Sequence, residues 1–481
     1  MMFHHCDVDL VNSSIRRKSI RHRITDFVFE SLRDNDTDYT TGRIGRALGL
    51  LAIPMVLEMS MESIFAVVDI AFVSRLGTDA IAAVGITEAL ITVLYAVAVG
   101  LGMGVTAMVS RRIGAQEREA AARVTGQAIW IGAALSLMIG IPGIIYAADM
   151  LRMMGATDSV VETGAGFAAV LLGGSASIIY LFLLNAAFRG AGDAAVALRS
   201  LWLANGLNIV LDPCFIFGLG PFPEMGVTGA AIATTIGRGT GVLYQLWYLF
   251  DGRGRLQFRL RNLKIAPQVL LRMLVISTGG VGQFLIATSS WIVIMRIVTV
   301  YGSTAVAAYT IALRVFEFIW LPSWGLGNAA ATLVGQNLGA NKPARAEQST
   351  WRAARYNTIF MTSLGALVVV LAPIITGLFT NDSEVLRYGT SCLRILGIGI
   401  PMYAIGMIIT QALNGAGDTA TPTALNFVCF WLLQIPLAYW LATDMSQGPN
   451  GVFFAIVVSE SLLTVLSVII FRHGSWKHKL A

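Results

Sequence analysis

Five side chains stand out because their oxygens fall inside runs otherwise apolar enough to cross a membrane. The stretch IPMVLEMSMESIFAVVDIAFV, residues 53–73, carries Glu58, Glu62 and Asp69. Glu58 and Glu62 are four apart and Asp69 lies seven beyond Glu62, so a helix sets all three on one stripe. The stretch NIVLDP brings Asn208 and Asp212, again four apart on one face. A carboxylate at the centre of a bilayer helix costs about 2.5–3.5 kcal/mol even on the lenient insertion scale, so such groups mark function by default. Carboxylates sharing a low-dielectric site cannot all ionise at neutral pH, and the Asn208 amide can hydrogen-bond the anion that remains. The set suits two kinds of chemistry: taking up and releasing a proton, or holding a small hard cation through oxygens. Either would couple an ion gradient to a conformational change. The competing structural reading has the acids pair with Arg238 or Arg314 to hold helices together.

The elements that must position these groups are membrane helices. Of 481 residues, 56% are hydrophobic and only 13% charged, too apolar for a soluble enzyme. Twelve apolar runs recur, at about 47–74, 80–109, 124–148, 160–187, 195–219, 226–250, 266–300, 305–335, 351–378, 386–412, 420–442 and 451–471. Each is near the roughly 20 residues that cross a hydrocarbon core. The runs are continuously apolar, where a barrel would alternate over segments of about 10 residues. The fold class expected is an all-α polytopic membrane protein.

Charge placement orients it. The net charge of +6 gathers in alternate loops, which follows the positive-inside rule and gives no nucleic-acid signal. The leading segment holds Arg16, Arg17, Lys18, Arg21, Arg23, Arg33, Arg43 and Arg46; SRRIGAQEREAAAR and DGRGRLQFRLRNLK carry the next basic clusters. The intervening loops keep only Arg75, Arg152 and Arg387. Both termini are therefore expected on the cytoplasmic side of the inner membrane. Residues 1–43 read as a disordered basic tail touching anionic lipid, with no apolar core of a cleaved signal. Cys6, Cys214, Cys392 and Cys429 have no metal or redox spacing. The five histidines lie only in the two tails, which argues against a buried histidine site.

An internal repeat decides the architecture. At an offset of 225, AAFRGAGDAA (186–195) answers QALNGAGDTA (411–420), VGLG (99–102) answers WGLG (324–327), and RRIGA (111–115) answers QNLGA (336–340). The halves are 44–250 and 266–471, six helices each, joined by a connector at 251–265 and followed by a tail at 472–481. An even number of crossings makes them parallel lobes, related by a pseudo-two-fold axis along the membrane normal, with substrate expected between them. In FRGAGD and LNGAGD the glycines suit left-handed helix ends, with Asp193 or Asp418 capping the next helix. RIGAQ and NLGAN read as helix stops. The connector reads as a solvated linker on anionic headgroups.

The acids belong to one lobe. Their counterparts at the offset are Gln283 for Glu58, Ala287 for Glu62, Ile294 for Asp69, Leu433 for Asn208 and Leu437 for Asp212. A purely architectural role would more naturally repeat. Pro54 should weaken the first helix near its cytoplasmic end, a bending point. Pro213 should free the carbonyl of Ile209. Arg314 and Glu317 can pair with each other. Met55 and Met59 suit an adaptable apolar cavity, Glu58 sits between them, and ordinary packing competes with that reading.

Together the two six-helix lobes, LAIPM…VVDIAFVSRLG, FRGAGD, NIVLDP, GAAIAT and ATLVGQNLGA resemble the multidrug and toxic compound extrusion (MATE) family over about 44–471. The resemblance implies a V-shaped pair of lobes and an antiporter exporting amphipathic, often cationic compounds against proton or sodium influx. Residues 277–298 lack the seventh-helix glutamate of the NorM-like branch, and 386–412 lack its tenth-helix aspartate. What remains resembles the DinF-like branch. Its coupling residues match Asp69, Asn208, Asp212 and Thr234, and its first-helix proline matches Pro54. Glu62 stands where that branch has glutamine, adding an acid near the site. The expectation is a secondary active multidrug exporter, working as a monomer without cofactor. Protons are the preferred coupling ion. Sodium at Asp69, Asn208, Asp212 and Thr234 is the second choice. A lipid or lipid-linked glycan flippase is the alternative function. A membrane-embedded enzyme is disfavoured, because there is no metal spacing and no intramembrane histidine.

Overall fold

A computed structural model describes residues 25–33 and 37–479. Cys6 and the basic cluster at 16–23 lie outside the described residues. Within a bilayer every backbone amide must be satisfied by the chain itself, so the apolar runs become helices. A short α1 over 25–32 precedes α2 (Ile44–Val73), α3 (Thr78–Gly114), α4 (Arg118–Ile145), α5 (Ala147–Met153), α6 (Asp158–Gly173), α7 (Ser175–Ala191), α8 (Ala194–Phe217) and α9 (Gly226–Asp251). The second lobe holds α10 (Pro267–Thr299), α11 (Ser303–Gly339), α12 (Pro343–Gly377), α13 (Ser383–Gly415), α14 (Ala420–Asn426), α15 (Ile435–Ala442) and α16 (Pro449–His473).

Ten of these spans are long and apolar enough to cross a membrane, and α6 with α7, bent by 41° between Gly173 and Ser175, makes an eleventh. The twelfth, α9, has the length but is rich in Gly and Thr and carries the buried Arg238. Two refinements to the expected runs follow. The run at 160–187 is broken at its glycine pair, and the run at 420–442 is interrupted by a π-helical stretch, Phe427–Gln434.

Each lobe has its own core. One reaches from Val73 through α3, α4 and α6–α9 to Ile276; the other joins α10–α13 with α15 and α16. The lobes meet through the halves of α2, α3, α10 and α11 that lead to the basic loops, here called the basic end. The repeated glycine motifs make that contact. Gly100 lies against the backbone of Val281, and its counterpart Gly325 lies against Met55 and Val56, the counterparts of Gly280 and Val281. A Cβ at Gly114 would fall inside contact distance of the Gln336 carbonyl oxygen, and one at Gly339 inside that of Arg111. Small residues let membrane helices pack by van der Waals contact where no hydrophobic drive exists. RIGAQ and NLGAN do end their helices, with Gln116 and Asn341 both left-handed at φ 62° and 56°. Beyond stopping helices, they form the seam.

Two expectations about the basic end are corrected. The connector is packed: Arg255, Leu256, Phe258 and Asn262 are buried, and Phe258 meets Phe250 edge-on at 5.3 Å. Its apolar side chains gain more from covering α9 than from lying in water. The segment 37–43 is likewise no free tail. Lys342 Nζ donates to the Thr40 carbonyl at 3.0 Å, and Arg345 donates to the carbonyls of Gly42 and Thr41 at 2.9 and 2.6 Å. Arg255 lies over the Tyr39 ring at 4.7 Å and donates to Thr37 at 2.5 Å. This strap therefore ties the connector to the loop that begins α12. Asp193 does not cap α8; it accepts from the Arg255 amide at 2.9 Å. The left-handed glycine expected before it is present, Gly192 at φ 92°, with Gly417 at 84° in the other lobe.

Candidate functional site

The first lobe's polar residues divide into three groups, built on α2, α7, α8 and α9. Glycines bring α8 and α9 together: a Cβ at Gly237 would lie 2.5 Å from the Ala204 carbonyl oxygen and 3.1 Å from Asn208 Cβ. Asn208 sits at that crossing. Its Nδ2 donates to Asp212 Oδ1 at 3.1 Å, one turn along α8, and to Thr234 Oγ1 at 3.1 Å across on α9. Asp69 of α2 lies within electrostatic range of Asp212. Three acceptors here are buried without a partner: Asp69 Oδ1, Asn208 Oδ1 and Asp212 Oδ2. Buried acceptors are normally satisfied, and orphaned ones call for an explanation. Their chemistry fits a species that brings positive charge and accepts oxygen ligands, a proton or a small hard cation.

Glu62 belongs to a second group. Its Oε1 lies 3.6 Å from Arg238 Nη2, and its Oε2 accepts from Asn205 Nδ2 at 3.3 Å. Arg238 Nη1 donates to the Tyr95 hydroxyl at 2.6 Å, and the guanidinium lies 5.6 Å from the Tyr95 ring centre and 5.7 Å from that of Phe65. The expected pairing of an acid with Arg238 is thus present, and it involves Glu62. Arg314 pairs with Glu317 at 3.2 Å, as their spacing suggests.

The third group was not legible as such. Glu58, 1% exposed, accepts from Asn185 Nδ2 at 3.1 Å and from Arg189 Nη1 at 3.3 Å. Asn185 Oδ1 in turn accepts from Ser200 and from Gln245, which also donates to Ser200 Oγ at 2.8 Å. The second lobe repeats the arrangement without charge. Gln283 and Asn414, the counterparts of Glu58 and Arg189, exchange hydrogen bonds of 2.9 and 3.2 Å. A concerted change at the offset, Glu to Gln with Arg to Asn, was the available signal. It shows through the FRGAGD and LNGAGD motifs, in which Arg189 and Asn414 hold the same place.

The structure therefore brings Asn208, Asp212 and Thr234 into one hydrogen-bonded unit with Asp69 nearby, and gives Glu62 and Glu58 an arginine each, Arg238 lying within electrostatic range of Asp69 as well. Met55 is fully buried against α11, and with Glu58 it is in packing and not on an open wall; Met59 is half-buried. Pro54 sits inside α2, which stays helical through it.

A family model described as MatE matches residues 54–214 and 281–440. The probable multidrug resistance protein YoeA of Bacillus subtilis is 27% identical over 442 residues, which covers 91% of this chain and 95% of that relative. The probable multidrug resistance protein NorM of Thermotoga maritima is 25% identical, covering 91% and 94%. A solved outward-facing conformation of a multidrug resistance MATE family transporter of the MOP superfamily has a TM-score of 0.86 and 26% identity, covering 93% of this chain and 100% of that one.

Proposed function

The chain belongs to the MatE family, a multi-pass membrane transporter family, and on that premise we propose that it is a secondary active multidrug exporter. It antiports amphipathic or cationic organic compounds against an inward ion flow. The carrying observation is the trio of partnerless buried acceptors on Asp69, Asn208 and Asp212. Their arrangement around the Asn208 amide supports a coupling site of the DinF-like kind, with Thr234 as fourth ligand. The coupling ion is the proton in preference to sodium. Glu62 does not add a free acid, because Arg238 neutralises it, so the change from the usual glutamine leaves the ion stoichiometry to Asp69 and Asp212.

The mechanism follows from linkage. Both termini and the basic end face the cytoplasm of the inner membrane, and the seam of Gly100, Gly114, Gly325 and Gly339 shuts that side. Each proton arriving from outside neutralises one carboxylate of the Asp69–Asp212 site, removing the cost of that buried charge. Whichever α2 conformation binds the ion better is then favoured, with Pro54, which has no amide to give Leu50, as the bending point. Substrate leaves because the two states differ in their affinity for it; a ligand with equal affinity for both would shift nothing. Ethidium efflux from proteoliposomes, under proton and sodium gradients imposed separately, tests this. Asp69→Asn and Asp212→Asn should each abolish gradient-driven efflux. Undiminished transport in both would remove the coupling site, and a strict sodium requirement would reverse the ion preference.

A further inference from the structure

The second lobe holds one ionisable group that the coupling scheme does not use. Glu460 lies on α16 directly opposite the exposed stripe of Phe454, Val458, Val465 and Ile469, so it faces the lobe interior. Its level is set by its neighbours: Val457 packs on Gly399, and Thr464 Oγ1 donates to the Met402 carbonyl at 2.8 Å. That sets Glu460 at the level of Tyr403 of α13, and the π-helical stretch Phe427–Gln434 packs on the same helix, where Leu463 clusters with Cys429 and Phe430. Among the described residues Glu460 has no hydrogen bond and no ion pair. The other charged groups in the middle of this lobe's helices, Arg296, Arg314, Glu317 and Arg394, are exposed.

Next to the carboxylate stands an aromatic wall. Tyr403 lies 5.6 Å from Trp320 between ring centres, Trp320 stacks on Phe316 at 6.0 Å, and Trp291 meets Trp320 at 5.5 Å. The repeat shows what such a wall takes. Trp320 is the counterpart of Tyr95, and in the first lobe Tyr95 and Glu62 together hold the Arg238 guanidinium. The second lobe has no cation at the corresponding place, where the counterpart of Arg238 is Leu463. An unpaired carboxylate within a membrane span is costly and is kept where it has a use. A π-helical turn, which often marks a functional place in a helix, lies alongside.

We propose that Glu460, Tyr403 and Trp320 form a subsite for a delocalised or quaternary organic cation, which the carboxylate neutralises and the rings cover. The inference rests on the export reading and names, within it, a substrate subsite in the lobe that lacks the coupling acids. The first lobe carries its own guanidinium in the corresponding place; the second takes that charge from the transported compound.

The test is equilibrium binding to the purified protein in lipid nanodiscs, read by tryptophan fluorescence, with ethidium as the cationic probe and N-phenyl-1-naphthylamine as the neutral one. Glu460→Gln should raise the ethidium Kd by about tenfold or more and leave the neutral probe within about twofold. Trp320→Leu should discriminate in the same sense without touching the carboxylate. Leu463→Arg, which places a guanidinium one turn from Glu460, should exclude ethidium while sparing the neutral probe. The subsite is overturned if Glu460→Gln leaves ethidium binding within twofold, or weakens both probes alike. Failure of the export reading looks different: wild-type protein would show no gradient-driven ethidium efflux, whatever the binding of these variants.

Discussion

The Glu58–Arg189 pair makes the sharpest prediction, because the protein contains its own uncharged control. Glu58 is 1% exposed and the Arg189 side chain 12%, so neither can turn to water if the other is lost. Replacing Glu58 with Gln would leave the Arg189 guanidinium buried without its counter-charge. Breaking one side of a buried pair costs about 3–5 kcal/mol, most of it from the charge left behind. Arg189→Asn alone should cost a similar amount, since it leaves the carboxylate with the Asn185 amide as its remaining donor. The double substitution Glu58→Gln with Arg189→Asn copies the Gln283–Asn414 pair, whose two hydrogen bonds of 2.9 and 3.2 Å need no charge. It should return to within about 1 kcal/mol of wild type, giving a coupling energy of about 5 kcal/mol or more. Denaturant unfolding in detergent micelles, run on wild type, both single variants and the double variant, measures the cycle. Single effects that add to within about 0.5 kcal/mol would refute the pairing as an energetic unit.

Other predictions concern the basic end. Lys342→Ala combined with Arg345→Ala removes the donors that hold the carbonyls of residues 40–42, and hydrogen exchange across 37–43 should speed up at least tenfold while the α3 core stays protected. Gly339→Leu cannot be accommodated against the Arg111 carbonyl, so spin labels on the basic-end turns of α3 and α11 should move apart; an unchanged distance would show that the seam gives elsewhere. Asp38 should respond to acid. Partial burial alone would raise its carboxyl, but hydrogen bonds from the Thr40 hydroxyl and amide, with Lys342 and Arg255 nearby, hold it below the ordinary range. A depressed folded value means its contribution is present above about pH 4 and lost as pH falls through the folded value, so strap protection should fail only on acidification. Asp38→Asn should flatten that dependence.

Much of the architecture was legible because it depends on local composition and on repetition. Apolar runs of membrane length, the 225-residue offset and the Asn208–Asp212 spacing all survive translation into helices and a hydrogen bond of 3.1 Å. The Arg314–Glu317 pair is local too, three residues apart on one helix. Glu58 was harder. The expectation that an architectural residue repeats looks for the same residue type in both lobes, whereas what repeats here is a place. Glutamine and asparagine fill it in one lobe and glutamate and arginine in the other. The packing of the connector and the tethering of the strap at 37–43, with Tyr39 and Thr40 buried, escape the sequence for a related reason: polar, basic segments look solvated when their partners lie far away in the chain.

By itself the sequence determined the class of protein, the number of spans, the two-lobe symmetry and which lobe carries the acids. These follow from hydropathy, helical period and self-similarity, properties that each stretch of chain holds on its own. Tertiary structure decided which acid meets which cation. Glu62 finds Arg238 at a separation of 176 residues and Glu58 finds Arg189 at 131, while among the described residues Asp69 and Asp212 form no ion pair. Helical spacing puts three carboxylates on one stripe, but whether a carboxylate is neutralised depends on the helix packed against it. That distinction separates the ion pairs from the proposed coupling site.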